Sequence, residues 1–305
     1  MELNFGRVEG LPPEEQEWLK ELKYIYDYHR STNRKKRRYY NGKITLNEVN
    51  LGIALPSGLG RLEIGCAWGA KTVDVLAGRS MFDGFVTENG TKSEDMDQIM
   101  KRNHLIAEYN KAVKEELKYG CAFAAVSGEE DDARVRFYSP HCAAASWNAH
   151  EGRIRYGFAF EDARRDESDV TWSPEHVNFY TDTDIWELDR IGGTWYATQN
   201  PHDFGEPLMV ALIWDATNDK PFGQSRLKEP VRRLIQGYVR TVANATIGLE
   251  FATSPQKYLL GVSDEQYDML IDNKFKQYVG SILYSTNNPE TGEKPEFRAT
   301  FAGKY

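Results

Sequence analysis

Four of the acidic residues in the stretch "TWSPEHVNFYTDTDIWELDR" (171–190) are candidates for paired carboxylates beside tryptophan and tyrosine residues. They are Glu175, Asp182, Asp184 and Glu187. Paired carboxylates are what glycoside hydrolysis needs, since one acid protonates the leaving group while the other acts as base or nucleophile. The pattern supports one hypothesis, a carbohydrate-active enzyme or sugar-binding β-module built on residues 121–200. Acids are also common at strand ends and turns, and spacing along a chain does not set the distance between carboxyl groups across a sheet.

The histidine and cysteine residues provide weaker evidence for a catalytic or metal site. In "SPHC" (139–142), His141 stands beside Cys142, but neighbouring residues of a strand point to opposite faces, which disfavours activation of the thiol by the imidazole. A turn at the end of a strand is the alternative. The six histidines and three cysteines follow no zinc-site spacing, and no G-x-S-x-G elbow occurs. We therefore predict no catalytic residue, no metal and no cofactor.

The stretch "PFGQSRLKEP" (221–230) could be taken for a phosphate-binding loop. It contains neither G-x-G-x-x-G nor G-x-x-x-x-G-K-[ST]. We interpret it as the turn that enters a helix, with Gly223 permitting a left-handed turn and Ser225 capping free N–H groups. Pro230 fits poorly inside a helix that begins at Ser225, and it predicts a bend or a late start, with regular hydrogen bonding from about Val231.

A basic cluster, Arg30 with residues 34–38, could bind a polyanion. This supports a third hypothesis, a nucleic-acid-binding protein that uses residues 30–40. The alternative is the solvated end of a helix, where cations offset the negative pole of the helix dipole. Both interpretations stay open from the sequence.

The composition is that of a globular protein. Of 305 residues, 40% are apolar and 28% charged, and the net charge of −8 repels nucleic acid on average, which argues against a tight DNA binder. Three cysteines without C-x-x-C spacing indicate reduced thiols. The N-terminus lacks the apolar core of a signal peptide, and no apolar run is long enough to cross a membrane.

The spacing of apolar residues is helical in the N-terminal part of the chain, alternates as in strands from residue 121, and becomes helical again after Ser225. Helical spacing predicts helices over 12–40 (Trp18, Leu22, Ile25 and Tyr26 on one face), 61–86 (Ile64, Trp68, Val75 and Leu76 on one face, with Gly78 near the end) and 93–120 (Ser93 as N-cap, Gly120 as C-cap). Alternating runs over 121–200, followed by the apolar run 207–214, predict an antiparallel sheet. The fold class is therefore α+β.

A second helical pattern of about 25 residues follows Ser225. Its apolar stripe comprises Leu227, Val231, Leu234, Ile235, Tyr238 and Val242. Lys228, Arg232, Gln236 and Arg240 recur every fourth residue on the other side. One face is suited to packing, and the other to water or anions.

Four segments, in order, resemble the portal proteins of tailed double-stranded DNA bacteriophages, most closely those of actinobacterial phages and prophages. They are "GAKTVDVLAGRSMFDGF" (69–85), "AVKEELKYGCAFAAV" (112–126), the region 207–261 with its F-G-x-S turn, long helix and "SPQKYLLG", and the hairpin-rich tail from Asp272. The resemblance covers about residues 60 to 300.

The resemblance implies a ring, usually a dodecamer, at one capsid vertex, through which the genome is packaged and ejected. It implies four regions: an N-terminal helix and basic segment (1–60), a wing (61–223), a stem helix (224–251) and a clip (252–305). The family normally continues with a second stem helix, a tunnel loop and a crown. None of these follows Tyr305, so the chain is expected to be truncated relative to the family.

The resemblance also implies roles and partners. Lys228, Arg232, Arg233 and Arg240 would be the channel-side charges. Leu227, Val231, Leu234, Ile235 and Tyr238 would be the subunit-packing positions. The partners would be further copies of the chain, the terminase large subunit, the head–tail connector, the major capsid and scaffold proteins, and double-stranded DNA that passes non-specifically. We expect no membrane, no enzymatic activity, and a place in the virion after assembly in the host cytoplasm.

Overall fold

The chain divides into two compact units. The first comprises Met1–Lys43 with Gly65–Ile235, and the second comprises Ile44–Ile64 with Gln236–Tyr305. A computed structural model describes residues 3–44, 64–86, 94–128, 133–160, 163–164, 173–253, 258–260 and 283–285. The predicted clip, 252–305, lies almost wholly outside the described residues, and the four predicted regions stay predictions.

The described residues form α1 (Pro13–Tyr40), α2 (Trp68–Ala77), α3 (Glu94–Arg102), α4 (Leu105–Tyr119) and α5 (Glu229–Thr253). The helix predicted over 12–40 is confirmed as α1. A proline begins it, Glu14 and Glu15 occupy its first turn, and Arg37 and Arg38 occupy its last, as the helix dipole favours. Leu22 and Tyr26 are buried, as the predicted apolar face requires.

The helix predicted over 93–120 is wrong as one element, because it is broken between α3 and α4. His104 adopts a left-handed conformation there. The side-chain amide of Asn103 donates to the carbonyl of Ala133 at 2.9 Å, and its oxygen accepts from the Val135 amide at 3.1 Å. These long-range bonds hold the break, because an asparagine side chain can compete with the backbone for hydrogen bonds. Gly120 follows α4 as predicted, with positive φ, whereas Ser93 lies outside the described residues.

The strands are β1 (Val8–Glu9), β2 (Cys121–Ser127), β3 (Arg134–Tyr138), β4 (Ala143–Asn148), β5 (Arg153–Phe160), β6 (Ala163–Arg164), β7 (Ser173–Pro174), β8 (His176–Tyr180), β9 (Asp184–Ile191), β10 (Thr194–Pro201), β11 (Met209–Ile213), β12 (Tyr258–Leu260) and β13 (Leu283–Ser285). The α+β class is confirmed. The predicted sheet of residues 121–200 is divided in two, with orders β1-β10-β9-β8-β5-β4 and β11-β2-β3.

Both larger sheets are antiparallel except where β1 pairs parallel with β10. β6 and β7 form a separate antiparallel pair. In the second unit, β12 and β13 form a parallel pair.

The six-stranded sheet is covered on both faces. The N-terminal segment and α1 pack on one face, and that core contains Leu3, Phe5, Val8, Leu11, Leu19, Leu22, Tyr26, Ala144, Tyr156, Phe158, Phe160, Val177, Phe179, Trp186, Leu188 and Trp195. The three-stranded sheet packs on the other, and that core contains Cys121, Phe123, Ala125, Tyr138, Ala143, Ala145, Ile154, Ala159, Tyr180 and Met209. Burial on both faces explains why β4 is a continuous run of small residues rather than an alternating pattern.

The buried face of α2 differs from the predicted one. Gly69, Val73 and Ala77 are buried, whereas Trp68 and Val75 are about half exposed. A β-carbon on Gly69 would lie 2.2 Å from the carbonyl oxygen of Tyr39, so α2 meets the end of α1 through a residue that has no side chain. This close approach turns the larger apolar residues of α2 away from the core.

Candidate functional site at the entry to helix α5

The entry to α5 is bonded to the C-terminal end of α4. The last carbonyls of a helix have no partner within that helix. Here the carbonyl of Leu117 accepts from the Arg226 amide at 2.8 Å, and the carbonyl of Lys118 accepts from the Ser225 hydroxyl at 2.5 Å. The Gly120 carbonyl accepts from the Trp214 amide at 2.9 Å. We call residues 214–228, together with the end of α4, the α5 junction.

A lysine from α1 completes the α5 junction. The Lys36 ammonium group donates to the carbonyl of Tyr119 at 2.7 Å, so a positive charge lies at the negative pole of α4. Burial lowers the pKa of Lys36 to about 8, and the nearby Arg232 acts in the same direction. The sequence alone predicts Lys36 to lie in a surface cluster, because its hydrogen-bond partner is 83 residues away along the chain.

Lys36 should give the first unit a measurable pH dependence. In the unfolded chain the lysine keeps its ordinary pKa of 10.5. Above pH 8 the unfolded chain binds more protons than the folded one, so stability rises with pH until about pH 10.5. Between about pH 7 and pH 9.5 the free energy of unfolding should rise by about 2 kcal/mol more in the parent chain than in Lys36→Met.

The comparison uses urea unfolding at both pH values. Lys35→Met is the matched control, because Lys35 is exposed at the preceding position of the same helix. It should keep the pH dependence of the parent. An identical pH dependence in Lys36→Met and the parent would show that Lys36 is not buried in this way.

Gly223 allows the tight turn within the α5 junction. Gly223 has a φ of +72°, and a β-carbon there would lie 2.2 Å from the Trp214 carbonyl oxygen and 2.7 Å from that of Gly120. The next amide, of Gln224, donates to the Trp214 carbonyl at 2.8 Å. Only a residue without a side chain fits where the two backbone segments approach so closely.

The N-cap role predicted for Ser225 is wrong. Its hydroxyl accepts from the Leu227 amide at 3.0 Å, which orders the turn, but α5 begins four residues after Ser225, at Glu229. The late start expected from Pro230 is confirmed. Proline is the second residue of α5, where its missing N–H removes no helical hydrogen bond, and the Arg232 amide donates to the Lys228 carbonyl at 3.1 Å.

Three of the four predicted channel cations form ion pairs with acids of their own chain. Lys228 lies 2.6 Å from Asp215. Arg232 and Arg233 share Glu229, at 3.4 and 3.0 Å. Arg240 is exposed. Exposed pairs of this kind contribute little to stability, and they reduce the net positive field along the start of α5.

The predicted packing positions are spread over several sides of α5. Leu227 and Ile235 are buried within the chain itself, Leu234 is 67% exposed, and Val231 and Tyr238 are half-buried. The buried positions on α5 recur every fourth residue: Ile235, Val239, Ala243 and Ile247. The apolar stripe predicted from the sequence consists partly of residues next to these buried positions, because several apolar side chains flank them.

The family model described as phage portal protein, SPP1 Gp6-like, matches residues 19–212. The match runs from α1 into β11 and covers nearly two thirds of the chain. The chain belongs to this family. No curated protein matches it. The matched residues end before Gly223, so the junction turn and α5 lie beyond them, and the predicted actinobacterial origin and truncation stay predictions.

Portal proteins of this family are structural components of the virion concerned with DNA packaging, and not enzymes. The hypothesis of a carbohydrate-active enzyme or sugar-binding β-module is not supported. Asp184 is buried, and its carboxylate accepts from Gln199 at 2.8 Å and from Thr183 at 2.5 Å. Its backbone amide donates to the Thr181 hydroxyl at 3.0 Å. These contacts hold the turn between β8 and β9 of the six-stranded sheet.

His141 and Cys142 occupy a turn, as the alternative interpretation predicted. The Cys142 amide donates to the Ser139 carbonyl at 2.8 Å, and the His141 carbonyl accepts from the Tyr26 hydroxyl at 2.9 Å. Burial lowers the pKa of His141 to about 4, so its imidazole is neutral. Across the described part of the portal chain, no group of histidine, cysteine and acidic residues could hold a metal ion.

The basic segment 30–40 belongs to the packed end of α1. Besides Lys36, Tyr40 donates to Asp74 of α2 at 2.9 Å, and the Lys118 ammonium lies 4.2 Å from the centre of the Tyr40 ring. These contacts fasten α1 to α2 and α4 within the portal's first unit. No helix among the described residues is long and apolar enough to cross a membrane.

Proposed function

We propose that this chain assembles into an oligomeric ring at one vertex of a phage capsid and serves as the conduit for packaging and ejecting double-stranded DNA. The observation that carries the proposal is the family match over residues 19–212. The terminase large subunit, the head–tail connector, and the major capsid and scaffold proteins are the proposed partners. Energy for packaging would come from the terminase, because a portal is a structural component.

We further propose that α5 lines the conduit. Lys228, Arg232, Arg233 and Arg240 would face DNA there, and Asp215 and Glu229 would weaken their attraction to phosphates. Contacts with phosphate carry no sequence information, and fewer net contacts mean weaker, less salt-dependent binding. A conduit has to let DNA slide, so partial neutralisation of its cations suits transport better than a strongly basic surface would.

The α5 junction gives this role a mechanical basis. Hydrogen bonds from Trp214, Ser225 and Arg226 fix the beginning of α5 to the end of α4, and Lys36 ties α1 to the same point. Force on the start of the helix would therefore reach α1 and α4 through several hydrogen bonds. The six-stranded sheet, which packs on α1, would act as the platform that holds α5 in place.

Assembly in solution tests the proposal. We expect the purified chain to form one discrete species of several copies in mass photometry, with the monomer fraction falling as concentration rises. Closed rings give a single mass, because a heterologous contact closes at a fixed number of subunits. A chain that stays monomeric throughout the micromolar range, in the presence and absence of DNA, would contradict the proposed function.

A further inference from the structure

An apolar groove lies beside the α5 junction on the first unit. It has a volume of about 540 Å³ and is formed by α2 and the start of α5. Trp68, Val75 and Leu234 contribute exposed apolar surface, at 48%, 50% and 67%. Lys71, Arg79 and Arg226 also line it. The groove therefore combines apolar walls with three cationic side chains.

An apolar projection with the opposite charge lies elsewhere on the same unit. In the loop between β10 and β11, Phe204 is 72% exposed, and Asp203 and Glu206 flank it with exposed carboxylates. The loop is held in shape from both sides. The His202 amide donates to the Thr183 carbonyl at 2.7 Å, and Arg153 lies 3.9 Å from Glu206.

We propose that Phe204 of one copy inserts into this groove on the next copy, with Asp203 and Glu206 facing the cations of the groove. The second copy is the favoured occupant because the chain itself carries the complementary surface, an aromatic side chain between two acids. Phe204 does not line the groove of its own chain, so the contact has to be made between copies. An aromatic side chain buried at the centre of a contact, with polar and charged groups around it, matches the usual arrangement of an apolar interface core within a polar rim.

The geometry of such a contact favours closed or helical assembly. Groove and projection are different surfaces, so each copy offers one of each, and the contact is heterologous. Repetition of a heterologous contact gives a ring when the rotation closes. The inference rests on the proposed ring and names the surfaces that would join its subunits.

Substitution at the projection tests the contact. Phe204→Ala should raise the concentration needed for half-assembly by about tenfold or more, as expected for loss of an interface hot spot. Ile191→Ala is the matched control, because Ile191 is a comparably exposed apolar residue, at 66%, at the end of β9. It should assemble within about twofold of the parent.

Exchanging the charges of the two surfaces distinguishes the loss of a direct contact from the loss of folding. The double variant D203K/E206K should lose assembly, and adding K71E/R79E to the same chain should restore it, because the two surfaces then attract again. Mass photometry gives the readout, and circular dichroism confirms that each variant is folded. Should the parent form rings that Phe204→Ala leaves unchanged, or should the charge exchange fail to restore assembly, this contact is refuted while the proposed function stands. A parent chain that never assembles would refute both.

Discussion

Gly223→Ala should lower the free energy of unfolding of the first unit by about 3 to 5 kcal/mol. A left-handed conformation costs a residue with a side chain about 1 to 2 kcal/mol. The rest comes from a collision, because the new β-carbon would lie 2.2 Å from the Trp214 carbonyl oxygen and 2.7 Å from that of Gly120. Both are backbone atoms of the α5 junction, so relief of the collision requires the loss of junction hydrogen bonds.

A glycine of similar conformation separates these two contributions. Gly152 has a φ of +67°, and nothing lies within 4 Å of the position that a β-carbon would take. Gly152→Ala should therefore cost only about 1 to 2 kcal/mol, the conformational part. Urea unfolding followed by circular dichroism gives both values. Equal losses in the two variants would show that the carbonyl groups of Trp214 and Gly120 do not approach Gly223 so closely.

Gly69→Ala should lower the free energy of unfolding by about 2 to 4 kcal/mol, for steric reasons alone. Gly69 lies in α2, where alanine is favoured over glycine, yet its β-carbon would lie 2.2 Å from the Tyr39 carbonyl oxygen at the end of α1. The helices would have to separate, which would expose Val73 and disturb the bond between Tyr40 and Asp74. Thermal unfolding should show a correspondingly lower midpoint.

Gly78 provides the control on the same helix. It caps α2 with helical backbone angles, φ −66° and ψ −10°, and its nearest neighbour would be 3.3 Å from a β-carbon. Gly78→Ala should therefore change the free energy of unfolding by less than about 1 kcal/mol. If Gly69→Ala were equally mild, the close packing of α2 on α1 would be refuted.

The spacing of apolar residues was enough to predict the helices and strands that are buried on one face only. α1 carries a single apolar stripe, and β9 alternates between buried and partly exposed positions, so both could be predicted from local pattern. β4 is covered on both faces, and its sequence AAASWN shows no alternation to detect. The break at Asn103 depends on bonds to residues 133 and 135, which no local pattern reveals.

The α5 junction was predicted only in part for the same reason. A turn at Gly223 and the late helix start at Pro230 follow from the conformational limits of these two residues. The partners of Ser225 and Lys36 lie 107 and 83 residues away along the chain, so their roles could not be inferred from spacing. The buried face of α2 was mispredicted because a glycine, and not a large apolar residue, makes its closest contact.

Cryo-electron microscopy of the assembled chain tests the central claim most directly. We predict a particle with rotational symmetry and an axial opening, in which α5 of every subunit borders the opening and the six-stranded sheet lies outside it. The exposed side chains of Arg233 and Arg240 should then face the axis. A particle without an axial opening, or one whose α5 helices lie on the outer surface, would contradict the account.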